Sequence, residues 1–226
     1  MLKVFPREKG QSSKDYVVRV LTENIVAINL EPGQKIIESE LCSALSLSRT
    51  PCREAEIELA QRKLITVFPK RGTFVSLIDT ELVEEVRRLR CVLESELAAI
   101  ACKKLGKEQL DKLWENVTLW EMYIKRGDQP KIFEFDKQFH KMLYEFCGCS
   151  YWYELVSGVA PHFDRTTVLS YMCGFTHNVV NDHIGLLKAI EAGNEDAAKG
   201  VVSLHMERYT QNIPTIKERF GAYFKT

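Results

Sequence analysis

The chain of 226 residues has no basic-then-apolar leader and no apolar run of the roughly 20 residues that a bilayer-spanning helix needs, so a cytoplasmic protein without a membrane segment is expected. Cysteine is scattered: Cys42, Cys52, Cys91, Cys102, Cys147, Cys149 and Cys173 form neither a disulfide framework nor the doubled spacing of a structural zinc site. Cys147-x-Cys149 comes nearest to a metal pair and reads as two ordinary side chains. Catalytic signatures are missing too: there is no HExxH, glycine-rich phosphate loop, G-x-S-x-G or Cys/His nucleophile arrangement. Repeats and low-complexity tracts are absent, and the net charge is zero. What is present is a 45% hydrophobic composition, enough for real cores, on a chain longer than a typical single domain.

The neutral total conceals a division. Residues 1–76 hold 12 Lys and Arg against 9 Asp and Glu, and the remainder holds 19 against 22. So small a basic excess implies modest attraction to a polyanion, and two copies would be needed for strong, salt-sensitive DNA binding.

The basic part contains Ser48-Arg49-Thr50-Pro51-Cys52-Arg53-Glu54-Ala55. Thr50 is a suitable N-cap, and Pro51 suits the first helical position, where its missing N–H would be unbonded anyway; Ala55, Leu59 and Ala60 then give a buried stripe. Arg49 and Arg53 flank that helix start, the end of a recognition helix that enters the major groove. Two arginines at a helix start are also ordinary surface charge, so the neighbouring elements decide. Apolar spacing predicts a helix over 16–30, a turn at Glu31-Pro32-Gly33 and a short helix over 38–47. Downstream, 64–68 and 73–77 are β-rich runs joined by Pro69-Lys70-Arg71-Gly72, a hairpin with a basic tip. Three helices and a hairpin make a winged helix-turn-helix.

Pro32-Gly33, Glu38-Ser39-Glu40-Leu41, Ser48-Arg49-Thr50-Pro51, Arg53-Glu54-Ala55 and Arg71-Gly72-Thr73-Phe74-Val75 resemble, in order over residues 12–77, the N-terminal domain of GntR-family transcriptional regulators. The resemblance implies double-stranded operator DNA as partner, with Arg49 and Arg53 on DNA, Thr50 on a phosphate, and Arg71 and Gly72 in a wing that approaches the minor groove. This chain departs from the family where Ser46 and Lys63 replace glycines, Cys52 an apolar residue and Glu56 a leucine. A left-handed Lys63 would cost on the order of 1 kcal/mol relative to glycine. With Glu56 there, either the helix is rotated slightly or Glu56 finds a partner such as Arg53 or Lys63, and a base preference different from the family's is open.

From residue 79 onward the periodicity is helical: 81–104, 108–126, 131–146, 151–171, 177–191 and 195–224, punctuated at Gly106, Gly127-Asp128, Gly148 and Gly193-Asn194. The fold class is therefore mainly α, a winged helix-turn-helix domain over 1–77 and an all-α bundle of about six helices over 78–226. Such a bundle can enclose a ligand cavity. Within it, Asp136 and His140 stand at i and i+4, on one face of one helix and close enough to share a metal.

Arg90-x-x-Leu93-Glu94, Asp136-x-x-Phe139-His140, His183 through Ala189-Ile190-x-Ala192-Gly193, and Ala198 to His205 resemble the FCD effector-binding domain that accompanies this module in the FadR-like branch of the family. The resemblance implies that Asp136, His140, His183 and His205 hold a divalent transition metal. One carboxylate and three imidazoles suit zinc first, with nickel or manganese as alternatives, and leave positions open for water or an effector. Arg90 and Arg165 are the candidates for clamping a small organic acid, as arginines do in this family's pockets. The plain alternative for Arg90 is an i,i+4 ion pair with Glu94, and for Arg165 a structural role; His162 and His177 fall outside the metal pattern and read as packing or surface residues. The expected protein is a homodimeric, effector-responsive regulator, a repressor. The competing readings are a DNA-binding regulator with a purely structural metal and no effector, and a metal-dependent hydrolase, the latter lacking an obvious general base beside the metal.

Overall fold

A computed structural model describes residues 2–226. Its first compact unit comprises Met1–Val83 with Phe220–Thr226, and its second comprises Glu84–Arg219. The boundary therefore falls inside a helix rather than at 77/78, and the C-terminal seven residues pack with the first unit.

The first unit holds α1 (Ser13–Val26), β1 (Lys35–Ile36), α2 (Glu38–Leu45), α3 (Arg49–Gln61), β2 (Ile65–Phe68) and β3 (Gly72–Val75). Ser12 caps α1, its side chain accepting from the Asp15 N–H. The apolar faces of the three helices meet in a core of Val17, Val20, Leu21, Ile25, Leu41, Leu45, Cys52, Ala55 and Leu59, closed by Leu64, Ile65 and Val75. Burying side chains of this kind contributes about 1.5–3 kcal/mol for each large aliphatic group.

The sheet order is β1-β3-β2, both pairings antiparallel, with Ile36 opposite Thr73 and Ile65 opposite Val75. β1 was not anticipated, because two residues are too few to show an alternation. The chain's last residues close on this unit: the Ile78 N–H donates to Tyr223 O at 2.8 Å, the Lys225 N–H to Ile78 O at 2.9 Å, and Lys225 Nζ meets Asp79 Oδ2 at 2.7 Å.

α3 begins two residues earlier than expected. Ser48, extended at ψ 168°, is the N-cap and Arg49 the first helical residue, so Thr50 is not the cap. Pro51 fits this register because the third helical N–H is still without an intrahelical partner. Ser46 and Lys63, both found where the family carries glycine, adopt left-handed backbone at φ 54° and 58°.

The second unit contains most of α4 (Thr80–Lys104) together with α5 (Lys107–Arg126), α6 (Gln129–Phe146), α7 (Ser150–Met172), α8 (Thr176–Glu191) and nearly all of α9 (Glu195–Phe220). α9 gives way at Gly221–Tyr223 to a short 3₁₀ turn instead of continuing to residue 224. The helices pack around Leu97, Leu113, Val117, Trp120, Phe139, Leu143, Tyr144, Leu187 and Met206. Asp128 caps α6 through the Lys131 N–H, with Pro130 in the first turn, which sets the register that turns Asp136, Phe139, His140 and Leu143 inward. No described helix is long and apolar enough to cross a membrane.

Candidate functional site

Two sites emerge, one in each unit. In the first, Arg49 and Arg53 are one turn apart on α3, with side chains 73% and 62% exposed. Between them stands Glu38, in the first turn of α2: its Oε2 lies 3.0 Å from Arg53 Nε and its Oε1 3.7 Å from Arg49 Nε. Thr50 is exposed beside them.

At the wing, Arg71 lays its guanidinium over the Phe68 ring, 5.4 Å from the centroid. Gly72, at φ +112°, occupies a conformation that L side chains rarely adopt. Glu56 finds neither Arg53 nor Lys63 as its hydrogen-bond partner. Thr73 Oγ1 on β3 donates to its Oε2 at 3.0 Å, tying recognition helix to wing, and burial raises its carboxyl pKa above the ordinary value, the Thr73 hydrogen bond opposing. Cys42 and Cys52 pack together in the core, sulfur to sulfur 3.2 Å.

In the second unit His140, His183 and His205, from α6, α8 and α9, converge with ligand atoms within 4.8 Å of one another, and among the described residues no other group of this kind is found. His183 Nε2 and His140 Nε2 are 3.2 Å apart, and Asp136 Oδ1 lies 3.5 and 3.7 Å from the two. Behind the cluster His183 Nδ1 donates to Val179 O at 2.8 Å, while His140 Nδ1 and His205 Nδ1 stand 3.1 Å from Glu94 Oε2 and 3.6 Å from Asp182 Oδ2 without a formed hydrogen bond. The His183 Nδ1 proton goes to Val179 O, which leaves the His183 Nε2 lone pair facing His140 Nε2, where either a proton on His140 or a bound cation can meet it; metal-to-nitrogen bonds of about 2.0–2.1 Å would place neighbouring ligand atoms about 3.0–3.4 Å apart. Asp136 Oδ1 is buried and has no hydrogen-bond donor, a deficit that a cation would satisfy.

The electrostatics differ between the imidazoles: burial disfavours charge on His140, but Glu94 outweighs it and raises the His140 pKa above its ordinary value. Burial first, then the neighbouring His205 and His140, push the His183 pKa well below its ordinary value, so this imidazole is neutral. Burial also disfavours charge on Glu94, but Arg90 and His140 outweigh it and hold its pKa far below the carboxylate range. Trp120 and Phe139 pack edge-on against His183 at 4.7 and 4.6 Å between centroids, which holds the ring in place.

Beside the cluster lies a small cavity of about 40 Å³, lined by Arg90, Asp136, Ser170, Tyr171, His205, Arg208 and Asn212 among others. Arg90 does both things considered for it: its Nε donates to Glu94 Oε1 at 2.8 Å, and it also borders the cavity. Arg165 does not line this cavity. It is 1% exposed within α7, its Nη2 lies 3.5 Å from His162 Nδ1, and burial pushes its pKa down to about 10. The second arginine at the cavity is Arg208, one turn beyond His205 on α9, which grips Asp182 bidentately at 3.0 and 2.9 Å. Arg208 and Asp182 carried no sequence signal of their own, because both sit in ordinary amphipathic helices. His205-x-x-Arg208 spacing could have suggested the first. Cys147 and Cys149 hold no common centre: Cys147 is buried against Leu97 O, its thiol pushed up to about 12 by burial.

A winged helix with an exposed arginine pair, joined in sequence to a helical bundle, defines a two-domain DNA-binding regulator. Residues 14–75 match the family of bacterial regulatory proteins, gntR family, and residues 85–208 match the FCD domain. The chain belongs to the GntR family of transcriptional regulators with an FCD domain, and is a DNA-binding regulator, not an enzyme. It is 24% identical over 215 residues to the HTH-type transcriptional repressor RspR of Escherichia coli K12, spanning 95% of this chain and 94% of that one. The fold matches a solved structure of E. coli McbR/YncC with TM-score 0.78 at 21% identity, over 93% of this chain and 99% of that one. A GntR regulator from Rhodococcus sp. RHA1 matches with TM-score 0.76 at 23% identity, over 90% and 99%.

Proposed function

We propose that the chain is an effector-responsive repressor that binds operator DNA as a homodimer and senses a small carboxylate beside a divalent metal. The observation that carries the sensing part is the convergence of three imidazoles, His183 held from behind by the Val179 carbonyl, beside one buried carboxylate oxygen without a donor. His140, His183, His205 and Asp136 would hold the ion, zinc by preference, with nickel or manganese as alternatives. When bound, it would supply open coordination positions for an oxygen ligand. Arg208 and Arg90 border the same cavity, where their guanidinium groups favour an anion.

On DNA, Arg49, Arg53 and Thr50 would face the major groove or its phosphates, with Arg71 and Gly72 at the wing. The dimer reading is supported by apolar side chains left in solvent on the sensor unit: Leu89 and Val92 on α4 are 45% and 71% exposed, and Tyr151 and Leu155 on α7 are 68% and 58% exposed. α9 supplies both His205 and Arg208 and runs directly into the tail that belongs to the DNA-binding unit. A ligand that displaces α9 therefore acts on a helix covalently continuous with that unit. A coupling of about 1–3 kcal/mol would change operator affinity 5- to 150-fold.

The test begins with protein isolated without chelator or histidine tag, its metal measured by elemental analysis beside an Asp136→Ala/His140→Ala variant. One transition metal per chain, lost in the variant, and a DNA affinity that shifts under saturating small hydroxy- or dicarboxylates are expected. One metal per chain with a DNA affinity indifferent to every carboxylate would make the site structural, and no metal would remove the sensing part altogether.

A further inference from the structure

We infer that Glu38 is a positioning residue for DNA recognition, holding Arg49 and Arg53 by one edge of each guanidinium so that their outer nitrogens are presented together. This rests on the reading that those two arginines face DNA. The carboxylate divides between them, Oε2 at 3.0 Å from Arg53 Nε and Oε1 at 3.7 Å from Arg49 Nε. Glu38 is the most shielded of the three, 28% exposed against 62% and 73%. It sits in the first turn of α2, so a packed element fixes where the carboxylate stands.

The consequences follow from the fork geometry of arginine. With Arg53 Nε hydrogen-bonded to Glu38, its Nη pair remains to meet the O6 and N7 acceptors of a guanine, and Arg49, 3.7 Å from the same carboxylate, is held beside it by charge. A long side chain ordered before contact has less freedom to lose when it binds. One negative charge shared by two positive ones also lowers the attraction of this face for phosphates at large, which is the term common to every sequence. Glu38 thus favours discrimination over bulk affinity. Its contribution to folding stability is small, as for other exposed ion pairs.

The experiment uses the full chain and two duplexes, one selected by the wild-type protein from a random library and one unselected random duplex, titrated by fluorescence anisotropy at several salt concentrations. Glu38→Gln keeps the shape and removes the charge. The expected result is at least a tenfold fall in the ratio of selected to random affinity, tighter binding of the random duplex, and a salt dependence steeper by about one unit of slope, with the thermal midpoint unmoved. A structural role would weaken both duplexes equally and leave the ratio intact, which would overturn the proposal; so would tighter binding to both with an unchanged ratio. In an Arg49→Ala/Arg53→Ala background the Glu38→Gln effect on the ratio should vanish, and its persistence there would also count against the proposal. If the wild-type protein selects no sequence, the DNA-facing reading itself fails, a result distinct from failure of the Glu38 role.

Discussion

His183 and His140 meet Nε2 to Nε2 at 3.2 Å, while His183 Nδ1 lies 2.8 Å from the Val179 carbonyl and His140 Nδ1 3.1 Å from Glu94. The His183 Nε2 lone pair therefore faces His140 Nε2 across a gap that a proton or a bound cation can occupy. Adding zinc to chelated protein should raise the thermal midpoint, and at a hundredfold excess over Kd the gain is about 2.7 kcal/mol. Asp136→Asn should abolish most of that gain with little change in the metal-free protein, whereas His177→Ala, outside the cluster, should leave it intact. Calorimetry with and without metal reads both; an equal gain in all three proteins would place the ion elsewhere.

Arg208 and not Arg165 should control carboxylate affinity. Arg208 borders the cavity with Asp182 fixing its fork, whereas Arg165 is packed inside α7's neighbourhood. Loss of a hydrogen bond to a charged group costs about 1.5–3 kcal/mol, so Arg208→Ala should weaken a bound carboxylate roughly tenfold or more in isothermal titration. Arg165→Lys should alter stability and leave the carboxylate Kd near wild type. The reverse pattern would exchange their roles.

Ser46 and Lys63 hold left-handed backbone, φ 54° and 58°, with exposed side chains. Glycine adopts this conformation without the Cβ conflict, so Ser46→Gly and Lys63→Gly should each raise stability by on the order of 1 kcal/mol, read as a shift in urea midpoint at constant m. A loss at either site would mean that its side chain makes a contact worth more than the strain.

Glu56 should make stability depend on pH with a definite sign. Burial raises its pKa in the folded protein above the unfolded value near 4.5, so the folded state binds the proton more tightly. Its contribution is fully present below the unfolded value and is lost as pH rises through the folded one. Glu56→Gln, which retains an acceptor for Thr73, should match wild type near pH 4 and exceed it at pH 8 in denaturant melts. A variant less stable than wild type at pH 8 would show the charge to be favourable where it stands.

Arg53 and Arg71 should fail differently on DNA. Arg53→Ala should cost about 1–3 kcal/mol on a selected duplex and relax discrimination at one base pair, while Arg71→Ala should weaken all sequences alike and lower the salt slope by about one. Anisotropy across a panel of single-base variants separates the two, and normal binding by Arg53→Ala would show that α3 does not read bases through this side chain.

What the sequence determined by itself is everything set by spacing within a few residues. The recognition helix, its arginine pair one turn apart, the glycine turn of the wing and the i,i+4 placement of Asp136 and His140 all follow from helical and strand periodicity, which acts locally. The left-handed position at Lys63 was suggested by the family resemblance and not by periodicity, whereas Ser46, expected inside a helix over 38–47, is the left-handed cap at which α2 ends. Even here a boundary slipped: Ser48 instead of Thr50 caps α3, because either residue can cap and Pro51 tolerates both registers.

Only the tertiary structure decided which distant residues meet. Glu56 pairs with Thr73, 17 positions away, once the wing folds back beside α3, and the chain's end reaches Ile78 across the whole sequence. Choosing Arg208 over Arg165 depends on how each helix is rotated about its own axis, which an amphipathic pattern defines to within a face and not to within a side chain. The groups behind the histidines, Glu94 on α4 and Val179 O and Asp182 on α8, come from two helices. Their convergence results from close packing of a core in which a shift of one ångström would separate them, and no local rule carries that information.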